Sequence, residues 1–323
     1  MTQTKIITET PPPPSKFCSS LPTMPRAWDS TTLRTFLECP RKYQYRMIEG
    51  WVPKRDKPAL VFGLLFHEAL ELFDRKKHEG LPHVEATFET AKWLLDASHP
   101  LGEMVNEETG KPIDNNRTRF SIFRTVIWYI DYYGKEDPIK IVELNDGSPA
   151  LELSFRLNLP IDSPDGDAYL LCGHMDKIAN FAERLQVVER KTTTYNLDDR
   201  YFKRFTPDIQ ISIYDFAGSM VLPEKIDGVL IDAAQCGVTF SRFRRDFAPR
   251  KPAQREEFMK DLVRWIASAE RCSHEDYWPK DESACGDYGG CMYRGICSRD
   301  PSVRRTWLEA DFKKEEWNPL ENR

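Results

Sequence analysis

Three strand-like segments follow one another in the middle of the chain, and they restrict the possible folds more than any other feature. They are rich in apolar and β-branched residues, and turn-forming residues separate them. The predicted strands are Ala150 to Leu159, Ala168 to Ala179 and Arg184 to Thr192. Because consecutive strands with short connections usually pair with each other, we expect a meander here.

A helix and two further strands are expected after this meander. The helix runs from Pro207 to Met220, with Pro207 in its first turn. Strands are predicted at Ile226 to Cys236 and at Val238 to Arg244, and the segment from Pro252 to Arg271 has the pattern of a final long helix. Three strands, a helix and another strand in this order predict an α/β fold with a meander and a crossover.

The chain before the sheet is predicted to be helical. The apolar segment Phe62 to Phe73 indicates a helix that is buried on most sides. Residues 84–98 and 117–133 also have a helical pattern. Residues from about 80 to 140 are therefore expected to form an all-helical insertion.

Composition suggests the domain limits. Residues 1–25 contain four consecutive prolines and many Ser and Thr residues, which is typical of a disordered tail. Residues 26–300 are expected to form one domain, which begins with a helix capped by Asp29 or Ser30. Residues 301–323 are expected to be a C-terminal tail.

Hydropathy and charge narrow the class of protein. No segment approaches the roughly 18 consecutive apolar residues of a membrane-spanning helix. The first residues lack the apolar run of a secretory signal, so we expect a cytoplasmic protein. The net charge of −5 gives no global support for binding to nucleic acid, although the electrostatic footprint of such binding is local. Basic residues cluster at Arg41-Lys42, Arg200 to Arg204, Arg242 to Arg245 and Arg304-Arg305.

Aromatic residues lie close in sequence to the first of these basic clusters. Tyr43, Tyr45 and Trp51 are near Arg41 and Arg46. Aromatic rings beside basic residues are able to stack unpaired bases while the basic residues contact phosphates. The same three residues are equally well explained as members of a core.

Two acidic residues and a lysine lie on the second and third predicted strands. Glu189 and Lys191 are two residues apart and therefore share one face, and a hairpin would bring Asp176 close to Glu189. Carboxylate oxygens are the ligands that Mg²⁺ prefers, and an imidazole from His67 suits Mn²⁺ as well. We expect Asp176, Glu189 and His67 to bind the cation, with Lys191 beside it. Alternating charges on an ordinary half-exposed strand would give a similar pattern.

Four short segments carry these residues together with Gln210 and Tyr214, which share one helical face. The segments are Gly63-x-x-x-His67-Glu68, Gly173-x-x-Asp176-x-Ile178, Val188-Glu189-x-Lys191-Thr192 and Gln210-x-x-x-Tyr214. Their order resembles the PD-(D/E)XK superfamily of nucleases, in particular the RecB-type enzymes. The opening Leu33-x-x-Phe36-x-x-Cys39-Pro40-x-x-Tyr43-x-Tyr45 is similar to that family too. Met175 stands where the family has a proline that the chemistry does not require.

The resemblance implies a restriction-endonuclease-like core, with a central mixed sheet flanked by helices. It also implies a DNA exonuclease dependent on Mg²⁺ or Mn²⁺ that acts on single strands or DNA ends. Its catalytic residues would be Asp176, Glu189, Lys191, Gln210 and Tyr214, with His67 as an additional metal ligand. An endonuclease or resolvase of the same fold, and a catalytically inactive iron–sulfur DNA-binding module, are the alternatives.

The chain lacks a phosphate-binding loop of the form Gly-x-x-x-x-Gly-Lys-Ser/Thr. Any helicase would therefore be a separate chain, as would a recombinase or a CRISPR-adaptation partner. Repair, recombination, phage DNA metabolism and spacer processing all remain open as pathways.

Four of the eight cysteines are unlike core residues. Cys39 lies near the N-terminus, whereas Cys285, Cys291 and Cys297 lie in a segment near the C-terminus that is rich in Gly, Tyr and Asp. Zinc sites usually have closer pairs of ligands. The arrangement resembles the 4Fe–4S staple of AddB-type and CRISPR-adaptation nucleases, which implies a structural cluster joining the N- and C-terminal regions. Zinc, including zinc in an RNA-processing enzyme, and the absence of a metal are the alternatives.

Overall fold

The structure is a computed structural model, and it describes residues 24–164, 166–221, 226–286 and 290–320. The tail predicted for residues 1–25 therefore lies almost wholly outside the described residues. The described residues form two compact units: one comprises those up to 55, 154–173 and those from 251 onward, and the other comprises 56–153 and 174–250. No helix in the described part of the chain is long and apolar enough to cross a membrane.

The helices are α1 Ser30–Glu38, α2 Pro40–Tyr43, α3 Pro58–His78, α4 His83–Ala97, α5 His99–Glu103, α6 Arg119–Tyr133, α7 Asp199–Lys203, α8 Ile209–Val221, α9 Pro252–His274, α10 Arg294–Cys297 and α11 Arg304–Asp311. The strands are β1 Ala27–Trp28, β2 Trp51–Pro53, β3 Lys140–Ile141, β4 Leu151–Asp162, β5 Ala168–Phe181, β6 Arg184–Thr193, β7 Val229–Cys236, β8 Ser241–Ala248 and β9 Phe312–Lys314. Helices α3 to α6 precede the strands β3 to β6, and α7 and α8 separate β6 from β7.

A mixed sheet forms the centre of the second unit, with strand order β5, β6, β7, β8. β5 and β6 pair antiparallel, β6 and β7 parallel, and β7 and β8 antiparallel. β7 is buried along its whole length, as expected of a central strand that is covered on both faces. The parallel pair is connected through α7 and α8, so the predicted α/β fold with a meander and a crossover is confirmed.

The predicted helical insertion packs directly on this sheet. Apolar residues of α3, α4 and α6 form one core cluster with the end of β7, which includes Phe66, Leu94, Val126 and Ala234. α6 begins at a capping box in which Thr118 and Ser121 exchange side-chain and backbone hydrogen bonds. Helices α4 and α6 of the predicted insertion therefore contribute to the core of the second unit.

The first unit contains the N-terminal helix and the C-terminal segment. Asp29 caps α1 and accepts a hydrogen bond from the Thr32 backbone N–H at 2.7 Å, as the sequence predicted for either Asp29 or Ser30. The described part of the predicted C-terminal tail is folded: β9 pairs antiparallel with β2, and Phe312 packs in an apolar cluster with Trp51. Burial of these aromatic rings accounts for the order of this segment.

Several predicted boundaries differ from the structure by a few residues, and for two of them the cause is visible. α8 begins at Ile209 rather than Pro207, because Asp208 caps it by accepting a hydrogen bond from the Ile211 backbone N–H at 3.1 Å. β8 begins at Ser241 rather than Val238, because a tight turn precedes it, in which the Gly237 N–H donates to the Phe240 carbonyl at 2.9 Å.

Candidate metal and active site

Three possible metal ligands meet at one point of the second unit: His67 on α3, Glu152 at the start of β4 and Asp176 on β5. Each offers one ligand atom, and these atoms all lie within 4.8 Å of one another. Among the residues that the structure describes, no other group of three His, Cys, Asp or Glu side chains meets this condition. His67 Nδ1 lies 3.1 Å from Asp176 Oδ1, so the two predicted ligands are in direct contact.

Glu152 was not predicted from the sequence. Its backbone φ is 49°, in the left-handed region that a non-glycine residue rarely adopts. Burial and the negative charges of Asp176 and Glu71 raise the pKa of Glu152 to about 7. A strained backbone that aims a carboxylate at other acidic groups suggests a functional role. The sequence pattern of this segment is that of a regular strand and gives no sign of the distortion.

Asp176 is held from two sides. Its Oδ1 contacts His67, and its Oδ2 accepts a hydrogen bond from the Arg190 backbone N–H at 2.7 Å. Burial raises the pKa of Asp176, but the nearby charge of His67 and both hydrogen bonds outweigh this effect, and the pKa falls to about 2. Burial lowers the pKa of His67, but the charge and the hydrogen bond of Asp176 and the charge of Glu189 together outweigh burial, so the pKa of His67 is raised. Asp176 is therefore ionised and fixed in orientation.

Glu189 and Lys191 face α8, on the side of β6 opposite to Arg190. Lys191 Nζ donates one hydrogen bond to Glu189 Oε1 and another, of 2.7 Å, to Gln210 Oε1. Gln210 Nε2 donates in turn to the Tyr214 hydroxyl at 3.0 Å. The predicted residues Glu189, Lys191, Gln210 and Tyr214 thus form one chain of hydrogen bonds.

The second carboxylate oxygen of Glu189 is a further possible ligand for a cation. Glu189 Oε2 is buried and has no hydrogen-bond partner among the described residues. Burial and the charge of Asp176 raise the pKa of Glu189 to about 7. Unpaired buried carboxylate oxygens are costly, and a divalent cation offsets that cost. Carboxylate oxygens with one imidazole fit Mg²⁺ or Mn²⁺, so the residues present suit the metal that the resemblance implies.

A buried ion pair lies behind the site. Asp74 is two turns after His67 on α3 and pairs with Lys177, at 3.1 Å, and with the Arg190 guanidinium. The side chains of Lys177 and Arg190 are only 3% and 1% exposed. Because these two residues directly follow Asp176 and Glu189 in sequence, Asp74 fixes both strands from the opposite side.

Arg245 belongs to the interior of this unit. It lies on the same row across the sheet as Arg190 and Asp232, and its guanidinium pairs with Asp232 at 3.2 Å and with Asp137 at 2.6 Å. The predicted basic cluster from Arg242 to Arg245 is therefore divided, since Arg242 is exposed and Arg245 is buried.

The four cysteines of the predicted cluster lie in the first unit. The Asp281 backbone N–H donates to Cys39 Sγ at 3.3 Å, and Cys285 Sγ donates to the Asp281 carbonyl at 3.8 Å. Burial raises the pKa of Cys297, and the charges of Cys291 and Cys39 act in the same direction. Cys39 and Cys285 thus share Asp281 as a partner, but no three of the described thiols lie within 4.8 Å of one another.

The aromatic residues near Arg41 do not form a surface. Tyr43, Tyr45 and Trp51 are at most 5% exposed, and Tyr43 stacks on Trp28 with ring centroids 5.5 Å apart. Of the two interpretations of these residues, the core role is the correct one.

Comparison with known proteins assigns the family. Residues 28–298 match the family model of the PD-(D/E)XK nuclease superfamily. Among solved structures, the chain is similar to a candidate exonuclease from Eubacterium rectale (14% identity, TM-score 0.46, covering 81% of this chain and 86% of the other). It is also similar to the protein SSO0001 (15% identity, TM-score 0.27, covering 46% and 59%). No curated protein matches. Because the family match spans most of its length, this chain belongs to the PD-(D/E)XK nuclease superfamily.

Proposed function

We propose that this nuclease is a divalent-metal-dependent deoxyribonuclease that degrades single strands or DNA ends. The observation that most supports this function is the convergence of His67, Glu152 and Asp176, with ligand atoms within 4.8 Å of one another, beside the Glu189–Lys191 pair. The exonucleolytic mode is inferred from the RecB-type order of motifs. The cytoplasmic location and the partner proteins stay predictions.

Asp176, Glu152 and His67 are the proposed metal ligands, and the unpaired Glu189 Oε2 is the fourth. Mg²⁺ or Mn²⁺ bound here would polarise the phosphate and lower the pKa of a water molecule. The protein's own contribution is to hold these acidic groups together before the metal binds. Arg190 does so for Asp176 through its backbone N–H, and the left-handed backbone does so for Glu152.

Lys191 is the proposed catalytic cation. Its side chain is 26% exposed, so its ammonium group is accessible to a phosphate while it remains bonded to Glu189 and Gln210. An ammonium group that is held in place stabilises the negative charge that develops on the phosphate in the transition state. Gln210 fixes the direction of Lys191, and Tyr214 fixes Gln210.

A 4Fe–4S cluster bound by Cys39, Cys285, Cys291 and Cys297 is the proposed structural cofactor. The contacts of Asp281 with Cys39 and Cys285, and the effect of the Cys291 and Cys39 charges on the pKa of Cys297, support a common site. Three thiolates on one zinc ion, at about 2.3 Å each, would lie well within 4.8 Å of one another. No three described thiols do so, and the choice of an iron–sulfur cluster rests on the resemblance of the cysteine spacing in sequence.

The test is a cleavage assay on end-labelled single-stranded DNA with Mn²⁺, using protein purified without oxygen. Wild type runs beside Lys191→Ala and beside Lys92→Ala, which removes an exposed lysine of α4 as the matched control. We expect wild type and Lys92→Ala to shorten the labelled strand progressively and Lys191→Ala to leave it intact.

Other outcomes of this assay would indicate other functions. A single internal cut indicates an endonuclease or resolvase. A wild type that binds DNA without cutting it indicates an inactive DNA-binding module, and cleavage of RNA alone contradicts the proposed substrate.

A further inference from the structure

α6 exposes aromatic rings where a surface helix normally carries charged residues. Phe120, Trp128 and Tyr132 are 73%, 45% and 65% exposed. They follow one another at intervals of eight and four residues and therefore share one face. The opposite face, which includes Ile122 and Val126, is buried in the core. An exposed aromatic face on a well-packed helix is a sign of a binding surface.

The turn before β8 and the strand itself complete this surface. The Arg242 guanidinium lies over the Phe240 ring at 4.8 Å, and Tyr132 lies 5.4 Å from the ring of Phe243. A cavity of about 510 Å³ lies between the helix and the strand. It is lined by Trp128, Asp131, Tyr132, Ser241, Arg242 and Phe243. We call Phe120, Trp128, Tyr132, Phe240 and Arg242 the α6 surface.

A buried arginine holds the two sides of the α6 surface together. Arg124 donates hydrogen bonds to the carbonyls of Gly237 at 2.5 Å, Val238 at 2.9 Å and Phe240 at 3.1 Å. Its guanidinium also lies 5.6 Å from the Trp128 ring. The helix and the turn are therefore joined without a ligand, which lowers the entropic cost of binding.

One residue of the α6 surface, Arg242, lies on the same face of the sheet as the proposed catalytic lysine. Lys191, Ala233 and Arg244 occupy one row across β6, β7 and β8, and Arg242 is two residues farther along β8. Two strand spacings and two residues place the Cα atoms of Lys191 and Arg242 roughly 12 Å apart. The rings of α6 lie on the other face of the sheet, where Tyr129 contacts Phe243. A single strand bound to these rings therefore reaches Lys191 around β8, which is the edge strand.

We propose that the α6 surface binds unpaired bases of the single-stranded DNA that is being cut. This inference rests on the proposed function. Aromatic rings stack bases of any sequence, and an arginine over such a ring adds a cation for the phosphates. Asp131 offers a carboxylate that accepts hydrogen bonds from the amino groups of bases. Phe88 of α4 is also exposed, but no arginine lies over its ring in the described contacts.

The test measures the affinity of the full chain for a fluorescent thymidine oligonucleotide by anisotropy, without divalent cations so that no cleavage occurs. A second oligonucleotide of equal length has abasic sites throughout. Trp128→Ala is compared with Trp128→Phe, which keeps a ring, with Tyr132→Ala, and with Phe88→Ala, which removes an exposed ring of α4. Thermal unfolding verifies that each variant is folded.

We expect Trp128→Ala and Tyr132→Ala to bind the thymidine strand roughly tenfold more weakly than wild type. Trp128→Phe and Phe88→Ala should bind it almost normally, and no variant should alter the weak binding of the abasic strand. Unchanged affinity in folded Trp128→Ala and Tyr132→Ala overturns the inference and points to a protein partner. If the affinity of these variants is unchanged but the wild type cleaves DNA in the separate Mn²⁺ assay, only this inference fails and the proposed function remains. A wild type that neither binds nor cleaves single strands contradicts both.

Discussion

Replacing Asp74 by Asn removes the negative charge that two buried cations share. Asp74 pairs with Lys177 and Arg190, whose side chains are 3% and 1% exposed. Breaking a buried pair by removal of one partner costs about 3–5 kcal/mol, because an uncompensated charge stays buried. For a folded unit of this size, that corresponds to a fall of roughly 10 °C in the melting temperature.

The pH dependence of this loss has a definite sign. Burial raises the pKa of Asp74, but Lys177 and Arg190 lower it more, so its pKa in the folded protein lies below its ordinary value of 3.8. A carboxyl group with a lowered pKa stabilises the fold fully above its unfolded pKa. The difference between wild type and Asp74→Asn should therefore be constant near neutral pH and shrink as the pH falls below 3.8.

Thermal unfolding followed by circular dichroism measures this difference. Asp96→Asn, the same substitution at an exposed position of α4, is the matched control and should melt like wild type. DNA cleavage by Asp74→Asn should also fall, because Arg190 supplies the backbone N–H that holds Asp176. Equal melting temperatures for Asp74→Asn and Asp96→Asn would refute this reasoning.

Three further predictions concern the proposed metal sites. Glu152→Gln should weaken Mn²⁺ binding by roughly tenfold or more in calorimetry, since one ligand carboxylate is lost; equal affinity would exclude Glu152 as a ligand. Mn²⁺ affinity of the wild type should fall as the pH drops through about 7, where Glu152 and Glu189 take up protons that must leave before the metal binds; a constant affinity from pH 8 to pH 6 contradicts this. Cys291→Ala should lose visible absorbance from the cluster and melt at a lower temperature, and normal solubility and melting would argue against a structural cluster.

The sequence predicted which side chains lie together where local spacing alone determines geometry. Glu189 and Lys191 share a face because side chains alternate along a strand, and Gln210 and Tyr214 share one because a helix repeats every 3.6 residues. These rules act over a few residues, so they are readable without a structure. Asp176 lies close to Glu189 because β5 and β6 are consecutive strands joined by a short turn, and such strands usually pair.

Other parts of the site depend on contacts between distant segments. Glu152 reaches Asp176 only through a left-handed backbone, and the sequence carries no signal for that conformation. Asp74 looks like an ordinary charged residue of an amphipathic helix, yet α3 buries it against two strands. Tyr43 and Trp51 could equally have been surface or core, because the segments that cover them are remote in sequence.

Calorimetric titration of Mn²⁺ into wild type and Asp176→Asn tests the central claim most directly. Asp176 touches His67, its charge acts on Glu152 and Glu189, and its carboxylate lies in the group of proposed ligands. We expect the wild type to bind Mn²⁺ and the folded variant to lose that binding together with DNA cleavage. If Asp176→Asn binds Mn²⁺ as tightly as the wild type, the metal does not occupy this site and the proposed mechanism is wrong.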